Sequence, residues 1–257
     1  MQGNKDVGPR SYDERVLRES TEDQIAIYYE LRRADKRKQV SDIIKIIQAQ
    51  PNENILDVGS GVGTLVFHLA KEGASCIGVD YSFASIKVAE KLISRYKVTG
   101  RTRFVCADVT KLPFCSLVFD KIVSADFIEH INSEQKEKVI SEIYRVLKPN
   151  GIVVIATPNR YHVQLGVWFK RIKALLKGES IFKIGIPHDS LHIGLTSIFE
   201  LKTKLKKYNL SLEFRYYPSH IPLIDRFISS FNKIIGTGIP LLRDIFTSQI
   251  LVFCQKK

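Results

Sequence analysis

Three carboxylates and a run of glycines fall at spacings that suit a nucleoside. In "NILDVGSGVGTL", residues 54–65, an apolar run enters a loop carrying Gly59, Gly61 and Gly63 at alternate positions. Glycine tolerates the positive φ of a tight strand-to-helix turn and leaves the backbone open to close approach. Asp57 precedes Gly59 by two residues, where it would repel a pyrophosphate and suit a cationic amino group. A dinucleotide fingerprint needs G-x-G-x-x-G, yet the sixth position here is Thr64, which weakens a nicotinamide reading. Asp80 closes "CIGVD" about 20 residues further on, the position from which a carboxylate takes both ribose hydroxyls. Asp108 in "FVCADVTKLPF" can accept from an adenine amino group while Val109 lies against the ring. The set implies adenosine without phosphates.

These residues need a scaffold that brings them to one edge. Apolar strands alternate with helical patterns, the signature of a parallel sheet with helices on both faces. The expected strands are 54–58, 75–79, 102–106, 119–124, 151–156, 211–216 and 249–255. Helices start near Gly63, Ser82, Ser133 and Ser197, the last three with Ser in a capping position. All three acidic residues then sit at the carboxyl ends of strands, where open α/β sheets bind ligands. Ahead of the first strand, Asp23–Ala34 and Lys38–Gln48 read as helices. The expected architecture is α/β and Rossmann-like: seven mostly parallel strands with an antiparallel last strand, N-terminal helices and helical cap insertions. It forms one domain over 1–257, with a helical segment at 1–50, a core at 51–159, and caps at 160–196 and 217–248.

Charge and cysteine usage narrow the partners. The chain of 257 residues carries 39 Lys and Arg against 27 Asp and Glu, a net charge of +12, which favours phosphate-rich partners or anionic surfaces. Between Arg160 and Asn209 there are 10 Lys or Arg and 3 Asp or Glu, a local excess of +7. Cys76, Cys106, Cys115 and Cys254 form no CxxC pair, so neither a zinc site nor a disulfide framework is expected, and three of them read as buried thiols. The polar N-terminus lacks an apolar leader and no uncharged apolar run approaches 18 residues, so the expected location is cytoplasmic, at most peripheral to a membrane.

"ILDVGSGVGTL", "VDYS", "ADVTKLPF", "FDKIVSADFIEHI" and "EIYRVLKPNGIVVIATPN" resemble, in order, the successive motifs of class I S-adenosylmethionine-dependent methyltransferases, in the style of the ubiquinone and menaquinone enzymes. The resemblance implies S-adenosylmethionine as cofactor. Asp57, Gly59, Ser60, Gly61 and Gly63 would contact its methionine part, Asp80 and Tyr81 the ribose, and Asp108 and Val109 the adenine. Ala125 would lie under the sulfonium, with Asp126 beside it.

Methyl transfer asks for alignment of a nucleophile and, for a hydroxyl, removal of its proton. "ADFIEHI" supplies Asp126, Glu129 and His130 at the expected edge, and Glu129 and His130 are the candidate catalytic pair. Resemblance to ubiquinone-pathway O-methyltransferases adds a possible divalent cation there, while a packing role for His130 stays open. His188 and His192 in "IPHDSLHIGLTSIFEL" precede the last major helix. The segment resembles H-x(n)-F-x-x-x-x-L stretches of quinone and lipid methyltransferases, which implies His192 as the better candidate for touching the acceptor, with packing of the loop as the alternative.

The acceptor class must come from outside the motifs. "HVQLGVWFKRIKALLKG", residues 162–178, groups Val167, Trp168, Ile172, Leu175 and Leu176 against Lys170, Arg171, Lys173 and Lys177, the pattern of a basic amphipathic helix at a membrane interface. It points to a hydrophobic, quinone-like or lipid acceptor, methylated on oxygen. The alternatives are a tRNA or RNA methyltransferase and a catalytically inactive cofactor-binding scaffold. RNA is the runner-up to the lipid reading, weakened because the cations alternate with aliphatic rather than stacking side chains, and the scaffold is the third. The oligomeric state is open.

Overall fold

The computed structural model describes residues 13, 21–98, 100–181, 193–217 and 247–257. Seven strands form one sheet in the order β3-β2-β1-β4-β5-β7-β6, made of β1 (Asn54–Val58), β2 (Ser75–Asp80), β3 (Thr102–Cys106), β4 (Phe119–Ala125), β5 (Leu147–Pro158), β6 (Leu210–Tyr217) and β7 (Gln249–Lys256). The first five pair in parallel, and β7 runs antiparallel between β5 and β6. This is the expected architecture. In β1 every residue after Asn54 is buried, as a strand covered on both faces requires. Strand β5 starts four residues earlier than expected, because Leu147 already pairs with Phe119 before an irregularity in register, with Asn150 at φ +60°.

The helices are α1 (Ala34–Ile47), α2 (Thr64–Lys71), α3 (Phe83–Ile93), α4 (Ser133–Val146), α5 (Arg160–Leu176) and α6 (Ile198–Leu205). Ahead of α1, a short helical stretch from Thr21 ends in a π-helical turn at Tyr29. Leu31 at φ +51° interrupts the chain there, so the expected helix 23–34 stops early and α1 begins before Lys38. The caps decide the other starts. Ser82 and Ser197 accept from Ser85 and Glu200 backbone N–H groups. For α4 the cap is Asn132 rather than Ser133: its side chain takes the Gln135 N–H while Gln135 returns a bond to Asn132, a capping box.

Two apolar layers sandwich the sheet. Ile43, Ile47, Leu69 and Leu92 of α1 to α3 cover one face, and Val139, Ile143, Leu201 and Leu205 of α4 and α6 cover the other. Cys76 and Cys254 are buried, but Cys106 and Cys115 are exposed, so two thiols rather than three are buried: Cys106 ends an outer strand and Cys115 lies in the loop beyond it. The excursion that begins with α5 returns at its base, where Asn159 bridges Thr196 and Arg160 N donates to Thr196 O at 2.9 Å. The expected cap over 217–248 lies, from residue 218 to 246, outside the described residues.

Candidate active site

The glycine loop is tied down as soon as it leaves β1. Gly59 and Ser60 both donate backbone N–H bonds to Val79 O, at 2.9 and 3.0 Å, and Gly63 N closes on Ser60 O at 2.9 Å. The three glycines take φ of +74°, +51° and +81°, the left-handed region that side chains resist. Their surroundings differ. A Cβ on Gly59 would stand 2.2 Å from the Phe127 ring and one on Gly63 2.7 Å from the Phe104 ring, whereas one on Gly61 meets nothing within 4 Å. So Gly61 alone leaves open space for a ligand; the other two are bare because aromatic rings of the protein pack against them. The Ser60 hydroxyl points into the sheet, 2.7 Å from where a Gly78 Cβ would be, and is buried without a hydrogen-bond partner.

Asp57, opposite Gly78 and one residue from the end of β1, lies near Asp80, which closes β2, and both are buried. Burial, with Asp80 as a like charge beside it, pushes the Asp57 carboxyl up to about 8. Burial raises Asp80 too, opposed by the backbone groups that point at it. Its Oδ2 accepts from Gly61 N at 2.8 Å and its Oδ1 from Ser82 N at 2.9 Å, and a carboxylate has further lone pairs for two vicinal hydroxyls. Tyr81 follows it, half-buried. Ser82, while capping α3, donates its hydroxyl to Asp13, so a residue from the N-terminal region reaches this edge. Asp108 is exposed, two residues past β3, and one of its oxygens takes both the Thr110 N–H and hydroxyl at 2.8 Å. Val109 is buried in the core beside it.

The other half of the site lies where β4 and β5 end. Ala125 closes β4, and Asp126 follows at φ +53°, its N–H on Ala156 O at 2.9 Å. Lys36 of α1 ion-pairs with the Asp126 carboxylate, and Gln39 donates to it at 3.2 Å. One helical turn, Ile128–His130, then buries Glu129 to 1% exposure. The Thr157 hydroxyl donates to Glu129 at 3.0 Å. Burial first, and the Asp126 charge second, push the Glu129 carboxyl up, while Lys36 opposes them. His130 is half-buried on the same turn. Gly194 N donates to Glu129 O at 2.8 Å, and a Cβ on Gly194 would stand 1.7 Å from Ile131 O, so the returning strap lies flush on the Glu129 turn. His188 and His192 lie outside the described residues. Among the described residues no group of three or more His, Cys, Asp or Glu is arranged to hold a metal ion.

Lys36, Gln39, Thr157, Gly194 and Asp13 belong to the site and were not legible as such. Thr157 sits in "IATPN" at the end of an expected strand, a usable signal; the others reach the edge only through tertiary packing. A cluster of buried carboxylates around an open glycine suits a ligand with a sulfonium, an ammonium and two ribose hydroxyls, so the residues fit S-adenosylmethionine. Asp57 and the Gly61 backbone would hold its methionine part and Asp80 its ribose.

Known proteins resemble this chain in sequence and in fold. Residues 56–155 match a family described as a methyltransferase domain. Demethylmenaquinone methyltransferase of Streptomyces avermitilis is 31% identical over 114 residues, covering 44% of this chain and 46% of that protein. Norajmaline N-methyltransferase of Rauvolfia serpentina is 34% identical over 104 residues, covering 40% and 35%. The matched stretch thus spans half or less of these relatives. Among solved structures, the YcgJ protein of Bacillus subtilis superposes with a TM-score of 0.60 at 18% identity, covering 86% of this chain and 99% of that one. A phosphoethanolamine N-methyltransferase of Haemonchus contortus with bound S-adenosylhomocysteine gives 0.60 at 20%, covering 86% and 52%. At such identities the superpositions speak for the fold. Residues 56–155, which hold the glycine loop, Asp57, Asp80, Asp108 and Glu129, are thus similar to a methyltransferase domain and lie within a sheet of order β3-β2-β1-β4-β5-β7-β6.

Proposed function

We propose that the chain transfers the methyl group of S-adenosylmethionine to a hydroxyl oxygen of an apolar small molecule, quinone-like or lipid. S-adenosylmethionine supplies the activated methyl group. The observation that carries the choice of oxygen is Glu129: a carboxyl buried to 1% at the ends of β4 and β5, oriented by Thr157. A carboxylate held up by burial is a stronger base than an exposed one, suited to take the proton of a bound hydroxyl. His130 on the same turn is the second proton carrier, and positioning by the flush strap at Gly194 supplies the rest. Relatives named for demethylmenaquinone and for ubiquinone and menaquinone support an apolar acceptor.

The test is transfer of labelled methyl from S-adenosylmethionine to a panel of phenols, catechols and quinols, with Glu129→Gln beside the wild type. Turnover is expected to fall by about 100-fold or more, while calorimetric affinity for S-adenosylmethionine stays. Undiminished turnover in Glu129→Gln removes the base from the proposal. Label appearing only in RNA, or no transfer despite tight cofactor binding, replaces it with the RNA or the scaffold reading.

A further inference from the structure

Helix α5 leaves the sheet at Asn159, two residues past Thr157, and its 17 residues extend about 25 Å. Only Val167 and Ala174 are buried along it. At about 100° per residue, both point the same way, into the protein. Tyr161, Trp168, Ile172, Leu175 and Leu176 fall within about 100° of one another on the opposite side. They are exposed: Trp168 to 63%, Leu175 to 60% and Leu176 to 84%. The apolar stripe therefore faces away from the core. Lys170, Lys173 and Lys177, all exposed, line one flank of the stripe, and α5 contains no acidic residue.

We infer that α5 docks this protein on an anionic lipid bilayer. A soluble helix ordinarily hides its apolar stripe; this one turns it out and rims it with ammonium groups. An outward stripe with a Trp and a cationic flank matches a helix lying in the headgroup region, its apolar face about 5–10 Å deep. The lysines meet the negative surface. Charge complementarity selects lipid phosphate over a second copy of the chain, whose own lysines would face these. No helix among the described residues is long and apolar enough to cross a membrane, so the contact is peripheral. The position of α5 beside Thr157 and Glu129 sets the acceptor site next to the surface from which an amphiphilic acceptor is drawn. That last step rests on the proposed apolar acceptor; the docking itself does not.

Trp168 is the single Trp of the chain, so its fluorescence reports on this helix alone. The full chain is titrated with vesicles of phosphatidylcholine containing about a third phosphatidylglycerol, with and without brominated acyl chains, and with phosphatidylcholine alone. The expected result is a blue shift, quenching by brominated lipid, and sedimentation with the anionic vesicles only. In Lys170→Glu/Lys173→Glu/Lys177→Glu the vesicle affinity falls by about 100-fold. Leu175→Asn/Leu176→Asn weakens it while keeping the charge of the helix, and calorimetric affinity for S-adenosylmethionine is unchanged in both. An unchanged Trp168 spectrum with anionic vesicles overturns the inference, as does a blue shift that depends on protein concentration without lipid, which assigns the stripe to a dimer. A tRNA gel shift with steep salt dependence and no vesicle response also overturns it. None of these readouts uses the acceptor, so vesicle binding without any methyl transfer rejects the proposed reaction and leaves the docking intact.

Discussion

Lys36 and Asp126 are 90 positions apart in sequence, yet their ion pair joins the N-terminal helix α1 to the carboxyl end of the central strand β4. Asp126 holds a left-handed backbone conformation at φ +53° and lies close enough to Glu129 to raise its proton affinity. Lys36 is the nearby cation that opposes this effect. Replacing it as Lys36→Met leaves two carboxyl groups without that cation, so Glu129 binds its proton still more tightly. The base form then becomes available only at higher pH. In the pH profile of kcat the acidic limb should move up by about one unit, with turnover near pH 7 falling by about tenfold, and Lys36→Arg should restore both. A profile unchanged in Lys36→Met limits the pair to holding α1 in place.

Asp80 has two duties. It accepts the Gly61 and Ser82 N–H groups, so it shapes the glycine loop before any ligand arrives, and it is the acceptor expected for the ribose. Bonds to a charged acceptor are worth about 1.5–3 kcal/mol each. Asp80→Ala should therefore lower S-adenosylmethionine affinity by at least 100-fold by calorimetry and also lower the melting temperature of the free protein. A loss of affinity with no change in melting would show that the loop keeps its form without the carboxylate.

Asp57 makes the free protein sensitive to alkali. Its carboxyl is pushed up to about 8 by burial, against about 3.9 in an unfolded chain. Between these values the folded state holds more protons than the unfolded one, so stability falls as pH rises from about 4 to 8. Asp80 and Glu129, also raised by burial, act in the same direction. Asp57→Asn should consequently melt higher than the wild type at pH 8 and show a shallower decline over that range. A cationic cofactor favours the ionised carboxylate, so binding should release protons near pH 7, measured by calorimetry in buffers of different ionisation enthalpy. Proton uptake on binding would contradict the placement of the cofactor's ammonium at Asp57.

The part of the fold set by local chemistry was legible. Strands β1 to β4 announce themselves as short runs ending in Val58, Asp80, Cys106 and Ala125, and Ser82 and Ser197 mark their helices. What local pattern could not show is what arrives from a distance. Nothing around Lys36 distinguishes it from Lys38, two residues on, which pairs with Asp42 on its own helix; packing of α1 decides between them. The glycines illustrate the same limit: G-x-G-x-G indicates a left-handed turn, but only the positions of Phe127 and Phe104 reveal that Gly59 and Gly63 serve packing while Gly61 faces open space.

That division among glycines can be separated by substitution. Gly61→Ala introduces a methyl group with no neighbour within 4 Å and carries only the cost of a left-handed alanine, about 1–2 kcal/mol, so the fold should survive. The methyl group stands in the space assigned to the cofactor, and S-adenosylmethionine affinity should drop by about tenfold or more. Gly194→Ala is the reverse case. Its methyl group would lie 1.7 Å from Ile131 O, so the strap must lift off the Glu129 turn and the Gly194 N–H to Glu129 O bond must break. The glycine loop is untouched, so cofactor affinity should persist while turnover is lost. If Gly194→Ala instead weakens cofactor binding and leaves turnover at saturation intact, the strap belongs to the cofactor side of the site and the acceptor must approach Glu129 from elsewhere.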